Sequence, residues 1–132
     1  MRYMLDTNIC IYIIKNKPKK VIIELKRHKP SEICVSAITY AELTHGVEKS
    51  MAVEKNRLAL ALLFSNIEVL DFDIKAAIHY GKIRAYLEKQ GTPIEPLDMM
   101  IAAHAMSLGY TVVTNNIKEF QRVPDLKLEN WT

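Results

Sequence analysis

Three acidic residues interrupt apolar stretches of the sequence, where carboxylates are rarely found. Asp6 follows the run YML, Glu42 lies within AITYAELTHG, and Asp98 lies within EPLDMMIAAHA. A carboxylate in apolar surroundings is unfavourable unless hydrogen bonds or a counter-charge compensate it, and several carboxylates together repel one another. A divalent cation would compensate all three, and carboxylate oxygens are the ligands that Mg²⁺ and Mn²⁺ prefer. The three residues therefore predict a metal site.

Each acid also has an ordinary structural explanation. Asp6, followed by Thr7 and Asn8, would fit the cap of a following helix, where a side-chain oxygen accepts a bond from a free amide. Glu42 alone would fit a surface position, and Asp98 alone would fit a first helical turn, where the helix dipole favours an acid. The occurrence of all three at corresponding ends of β–α units favours a shared site.

Short apolar runs alternate with segments of helical spacing along the chain. The runs RYML, EICVS, IEVLDF and YTVVT are predicted to be strands buried on both faces, because their apolar residues do not alternate with polar ones. Ser36 is a predicted helix cap, as is Asp73, and Gly91 is a predicted helix end. Strands that alternate with helices predict an α/β sandwich with a mainly parallel sheet, in a single domain over residues 1–132.

The predicted sheet explains how distant residues would form one site. Ligands of open parallel sheets bind beyond the carboxyl ends of the strands. Asp6, Glu42 and Asp98 can all reach that edge, and Asn116 and Glu119 follow the last predicted strand.

Charge is unevenly distributed, although the formal net charge is only +3. The basic segment, residues 15–29, has one acid, Glu24, and seven basic residues: Lys15, Lys17, Lys19, Lys20, Lys26, Arg27 and Lys29. Such a segment on a mildly acidic body is typical of a protein with a polyanionic partner, and it would equally fit a solvated helix face.

Composition points to an ordinary water-soluble protein. The chain has 132 residues, of which 49% are hydrophobic, and no apolar run reaches the roughly 18 residues that span a bilayer. Cys10 and Cys34 lie in apolar segments and are predicted to be buried free thiols, and the four histidines lack zinc-ligand spacing. We expect a cytoplasmic location.

Four stretches in combination resemble the PIN-domain ribonucleases, in particular the VapC toxins of bacterial toxin–antitoxin pairs. They are YMLDTNICIYIIKNKP, ITYAELTHGVEKS, GTPIEPLDMMIAAHAMSLG and VVTNNIKEFQRVPDLKLENW, and the resemblance extends from Met1 to Trp131. It implies a three-layer α/β/α sandwich that hydrolyses RNA with Mg²⁺ or Mn²⁺, acting on initiator tRNA in its anticodon stem-loop. It also implies a VapB antitoxin as partner and a homodimer within a toxin–antitoxin hetero-oligomer.

The resemblance assigns roles to individual residues. Asp6, Glu42 and Asp98 fall on the first three metal-binding acids of the family. Thr7 and Asn8 fall on polar positions that orient the first acid.

The sequence departs from the family pattern at two positions. Asn116 stands where a fourth acid is usual, and Glu119, one turn further on, would replace or assist it. Glu95 stands where members of this group usually have Gly, and no role follows for it.

A mechanism follows as a hypothesis. Asp6, Glu42 and Asp98 would hold the metal, and water would attack the phosphodiester in line, leaving a 3′-hydroxyl and a 5′-phosphate. Lys15, Lys17, Lys19 and Lys20 are predicted to contact RNA phosphates, whereas His104 is predicted to be a core or interface residue.

Two alternatives stay open at this stage. A haloacid-dehalogenase-type phosphatase also has an Asp after its first strand, but here Asn8 occupies the place of its second Asp. A PIN-like domain that binds RNA or a partner without cutting would be consistent with Asn116.

Overall fold

A five-stranded parallel sheet lies at the centre of residues 2–132, the part of the chain that a computed structural model describes. The strands are β1 (Tyr3–Leu5), β2 (Ile33–Ser36), β3 (Glu68–Leu70), β4 (Thr111–Val113) and β5 (Leu128–Glu129). Their order is β3-β2-β1-β4-β5, and every neighbouring pair is parallel. The prediction of a parallel sheet is therefore confirmed.

Helices cover both faces of this sheet. They are α1 (Thr7–Lys15), α2 (Lys19–Lys26), α3 (Ala37–Glu48), α4 (Val53–Leu63), α5 (Ile74–Gln90), α6 (Pro96–Leu108) and α7 (Ile117–Phe120). Because successive strand residues point to opposite faces, Met4 and Cys34 join the core beneath α5 and α6, whereas Leu5 and Val35 join the core beneath α1 and α4. The result is the expected three-layer α/β/α sandwich.

Local signals place the helix ends correctly. Ser36 Oγ accepts the amide hydrogen of Ile38 at 3.1 Å and caps α3. Asp73 Oδ1 accepts that of Ala76 at 3.0 Å and caps α5. Gly91 ends α5 with a φ of 70°, a left-handed conformation that glycine adopts without strain. These three predictions are confirmed.

The fifth strand was not predicted. It has only two residues, lies at the edge of the sheet beside β4, and is half-buried at Leu128 and exposed at Glu129. An edge strand of this length buries too little apolar surface to leave a hydrophobic run in the sequence.

The strand order creates a crevice at the carboxyl edge of the sheet. The chain continues from β1 to β2 and β3 on one side, and returns to β4 and β5 on the other. Ligands of open α/β sheets bind where the order reverses in this way. The amide of Asp6 donates to the Val113 carbonyl at 3.0 Å, which continues the β1–β4 pairing to the rim of the crevice.

Both cysteines are free and buried, as predicted. They lie on opposite faces of the sheet, and burial raises the pKa of each thiol. Across residues 2–132, no helix has the length and apolar composition needed to cross a membrane.

Candidate active site

Asp6 lies directly after β1 and is only 4% exposed. Its Oδ1 accepts the amide hydrogen of Ile9 at 3.0 Å, so the residue caps α1. Burial raises the pKa of its carboxyl, as does the charge of Glu42, whereas a hydrogen bond from Thr114 and the backbone amides act in the opposite direction. Asp6 is therefore a helix cap, as the sequence allowed, and it also lies near a second acid, Glu42.

Glu42 lies on α3 and faces the start of α1. The hydroxyl of Thr7 donates to Glu42 Oε1 at 2.6 Å. Thr7 was expected to orient the first acid of the site, but its hydroxyl holds the second. Asn8 is exposed, and its backbone amide is the group that bonds to Asp6.

Asp98 lies in the first turn of α6, where a network of acids and amides surrounds it. Glu95 caps this helix, since its Oε2 accepts the Asp98 amide hydrogen at 3.1 Å. Glu119 Oε1 accepts the Glu95 amide hydrogen at 2.9 Å, and Glu119 Oε2 accepts from Asn116 Nδ2 at 2.7 Å. The structure thereby gives Glu95 a role that the sequence did not suggest.

The carboxyl groups of Asp98 and Glu119 interact, and their pKa values shift in opposite directions. Burial raises the pKa of Asp98, and the hydrogen bond to Glu119 and the charges of Glu119, Glu95 and Asp6 raise it further. Burial also acts to raise the pKa of Glu119, but hydrogen bonds from the Glu95 amide, Asn116 and Asp98 outweigh this effect and lower it. Of the two carboxyl groups, Asp98 is therefore the one that holds a proton more readily.

Thr114 was missed as a site residue. It is fully buried just after β4, its Oγ1 accepts the amide hydrogen of Asn116 at 2.9 Å, and its side chain bonds to Asp6. A hydroxyl at the end of an apolar strand was the available signal. Thr39, three residues before Glu42 on α3, has a buried Oγ1 without a hydrogen-bond partner within residues 2–132.

The predicted acids lie near one another, but they are not arranged as a complete set of metal ligands. Charge interactions link Asp6 to Glu42 and to Asp98, and Glu119 joins them through Asp98. Asp6, Glu42 and Glu119 accept hydrogen bonds from neighbouring groups. Within the described residues no group of three or more His, Cys, Asp or Glu is arranged to hold a metal ion. The metal site stays a prediction, whereas the convergence on one edge is observed.

A groove of about 260 Å³ adjoins this cluster. Glu42 and Lys15 line it together with apolar side chains of α1, α3 and α4. Lys17, Lys19 and Lys20 are exposed in the turn between α1 and α2 and at the start of α2. Their exposure is compatible with contact to RNA phosphates, which stays a prediction.

His104 lies in the interior, as predicted. It is 2% exposed, and its Nδ1 lies 2.8 Å from Ser36 Oγ.

A parallel α/β sandwich with acids gathered at the carboxyl edge of the sheet, after β1 and on α3 and α6, is the arrangement of a PIN domain. Residues 3–126 match the model of the PIN domain family. The tRNA(fMet)-specific endonuclease VapC of Salmonella typhimurium is 50% identical over 131 residues, which are 99% of this chain and 98% of that protein. The protein of the same name from Shigella flexneri is 47% identical, over 100% of this chain and 99% of its own length.

Solved structures agree with this assignment. DNA-bound VapBC from Salmonella typhimurium matches with a TM-score of 0.95 and 48% identity, over 100% of this chain and 99% of that one. VapBC2 from Rickettsia felis, bound to a DNA fragment from its promoter, matches with a TM-score of 0.93 and 42% identity over 100% of both chains. This chain therefore belongs to the PIN-domain family and, within it, to the VapC ribonucleases.

Proposed function

We propose that the chain is a metal-dependent endoribonuclease toxin that cleaves initiator tRNA in its anticodon stem-loop and is held inactive by a VapB antitoxin. Two relatives are named as tRNA(fMet)-specific endonucleases, and the related structures are VapBC complexes, which supports the substrate and the partner. The observation that carries the proposal is the placement of three acids at the carboxyl edge of the sheet. Asp6 directly follows β1, Glu42 bonds to the neighbouring Thr7, and Asp98 lies in the first turn of α6. The same family membership leads us to expect a homodimer.

The cluster has the chemistry of a site for a hard divalent cation. Asp6, Glu42 and Asp98 would hold Mg²⁺ or Mn²⁺, with Glu119 as the fourth oxygen donor. The five ion pairs within residues 2–132 all involve acids outside this cluster. Asp6 is buried and the other acids are half-buried. Within residues 2–132 these carboxylates therefore have no directly paired Lys or Arg, and a cation would compensate their charge. When bound, the ion supplies a more acidic water and stabilises the charge that develops on the phosphate.

Neighbouring side chains hold the carboxylates in position. Thr7 donates to Glu42, and Thr114 bonds to Asp6. Asn116 presents its Nδ2, a donor, to Glu119, so its amide is suited to positioning that acid. Asn116 therefore positions Glu119, and Glu119 supplies the fourth oxygen ligand.

The basic segment would hold RNA outside the cluster. Lys15 borders the groove that reaches Glu42, and Lys17, Lys19 and Lys20 extend the positive surface away from it. Lysine contacts of this kind position a nucleic acid without reading its sequence. Selection of the cleavage site would then come from the splayed bases of the loop.

The decisive experiment uses antitoxin-free protein, purified initiator tRNA and analysis of the product ends. We expect cleavage with Mg²⁺ or Mn²⁺, none with EDTA, and products with a 3′-hydroxyl and a 5′-phosphate. Cleavage that persists in EDTA, or a product with a cyclic phosphate, would contradict the metal-dependent scheme. Sequencing of RNA ends after brief expression in bacteria tests the target, because cuts outside initiator tRNA would refute the assigned substrate.

A further inference from the structure

A buried hydrogen bond joins the start of α3 to the middle of α6. Ser36 Oγ lies 2.8 Å from His104 Nδ1, and the two residues are 0% and 2% exposed. They are separated by 68 residues in sequence. Buried polar pairs of this kind are unfavourable to break, because each partner then loses its hydrogen bond without gaining water.

Ser36 Oγ has a second hydrogen-bond partner. It already accepts the amide hydrogen of Ile38 at 3.1 Å. The hydroxyl keeps its proton for a second bond, which it can donate to Nδ1 when the ring proton lies on Nε2 of a neutral imidazole. Burial lowers the pKa of His104 and favours this neutral form, although the charges of Asp73 and Asp71 act in the opposite direction.

The two helices that the bond joins carry two acids of the site. Glu42 follows Ser36 along α3, and Asp98 precedes His104 along α6, each at a distance of less than two helical turns. A helix is rigid over so short a length, so anchoring Ser36 or His104 also fixes the position of the acid on the same helix. The helices also pack against each other. A rigid link between Ser36 and His104 consequently restricts how far Glu42 and Asp98 can separate.

We propose that the Ser36–His104 hydrogen bond sets the separation of Glu42 and Asp98 and makes His104 a positioning residue for divalent-metal binding. The inference rests on the proposed function, since it presumes that these acids bind a metal. His104 acts through Ser36 and through α6, and contributes no ligand. Neither residue is assigned such a role by the sequence.

The test measures Mn²⁺ affinity by calorimetry on the antitoxin-free full chain, together with thermal stability in EDTA. In His104→Leu the acceptor is lost, and we expect Mn²⁺ to bind about 10-fold more weakly, as for residues that orient metal ligands elsewhere. In His104→Asn the amide Oδ1 can take the place of Nδ1, so we expect affinity within about 3-fold of wild type. Leu87→Ala is the control, because it removes a fully buried contact beside α6 and leaves the hydrogen bond intact.

The outcomes separate positioning from general destabilisation. Equal Mn²⁺ affinity of His104→Leu and wild type would overturn the positioning role. The role would also be overturned if Leu87→Ala, at the same thermal stability as His104→Leu, lost as much Mn²⁺ affinity. Should His104→Leu not fold, Ser36→Ala removes the same bond together with the cap of α3, and wild-type Mn²⁺ affinity in that variant would overturn the positioning role. If both single variants fold, the double variant should bind no more weakly than Ser36→Ala alone, and additive losses would refute the link. Failure of wild type to bind Mn²⁺ would instead remove the proposed function and this inference together.

Discussion

At the scale of single residues, the carboxylate of Asp6 has two uses. One oxygen caps α1 by accepting the Ile9 amide hydrogen, and burial together with the charge of Glu42 raises the pKa of the group. An amide in its place could still cap the helix, because Asn is as good a cap as Asp. Loss of the charge can thus be separated from loss of the fold.

Asp6→Asn and Asp98→Asn should each lower tRNA cleavage by at least about 100-fold, because a neutral amide is a poor ligand for a hard cation and a metal supplies several kcal/mol to such reactions. Circular dichroism should show an unchanged fold. Asp125→Asn is the control, since Asp125 is exposed and its φ of 64° is one that Asn adopts. Wild-type cleavage by Asp6→Asn would exclude it from the site.

The pair Asn116 and Glu119 allows a second test at this scale. Asn116→Asp would replace a donor 2.7 Å from Glu119 with a like charge. We expect the melting temperature in EDTA to fall by roughly a few degrees, and Mn²⁺ to raise it more than in wild type. Asn115→Asp is the neighbouring control, because Asn115 donates to the Tyr12 hydroxyl instead. If Mn²⁺ raised the melting temperatures of Asn116→Asp and wild type equally, residue 116 would have no influence on metal binding.

At the scale of the elements, helices α3 and α6 connect the core to the site. Each begins at the carboxyl edge of the sheet with a capped first turn, by Ser36 on α3 and by Glu95 on α6. The caps fix where the helices start and therefore where Glu42 and Asp98 lie. Helix α6 also contains the buried His104, whose ring edge meets Phe72 at 5.5 Å between centroids.

The buried His104 should make stability dependent on pH. Burial lowers its pKa from the ordinary value of 6.5, with Asp73 and Asp71 acting in the opposite direction. Below that value the unfolded chain takes up a proton at His104 that the folded chain does not, so this residue lowers the free energy of unfolding as the pH decreases. The raised pKa of Asp98, about 8, acts in the opposite direction, so the effect of His104 is measured as a difference between variants. Urea unfolding at about pH 7 and about pH 5.5 should show that the stability of His104→Asn relative to wild type rises as the pH decreases.

His45→Asn is the matched control for this experiment. His45 lies on α3 but is exposed, so we expect the stability of this variant relative to wild type to be the same at both pH values. The same result for His104→Asn would show that His104 does not contribute to the pH dependence.

At the scale of the whole molecule, charge is separated between the basic segment and the acidic cluster. The basic segment covers the end of α1 and all of α2, on the face of the sheet opposite α5. An RNA held there would approach the acids along the groove that Lys15 and Glu42 share.

Charge reversal by Lys19→Glu with Lys20→Glu should weaken RNA binding and its dependence on salt. If both lysines contact phosphates, the slope of log affinity against log salt should decrease by about 1.4, or 0.7 for each contact with single-stranded RNA. Filter binding at several salt concentrations measures it. Lys82→Glu with Lys89→Glu changes the charge equally on exposed positions of α5. An unchanged slope in the Lys19 and Lys20 variant would contradict the assignment.

Much of this architecture was predictable because its causes are local. Apolar runs predicted four of the strands, and Ser36, Asp73 and Gly91 predicted helix ends, since caps depend on residues within one turn. A parallel sheet then required Asp6, Glu42 and Asp98 to approach one edge. Residue types and their order along the chain thus determined the fold and the neighbourhood of the acids.

Tertiary structure decided which partner each site residue has. Thr7 bonds to Glu42 and the Glu95 amide bonds to Glu119, although 35 and 24 residues separate these pairs. Thr114 reaches Asp6 only because β4 pairs with β1. Such contacts depend on how helices pack across the sheet, a property of distant chain segments that no local pattern of residues encodes.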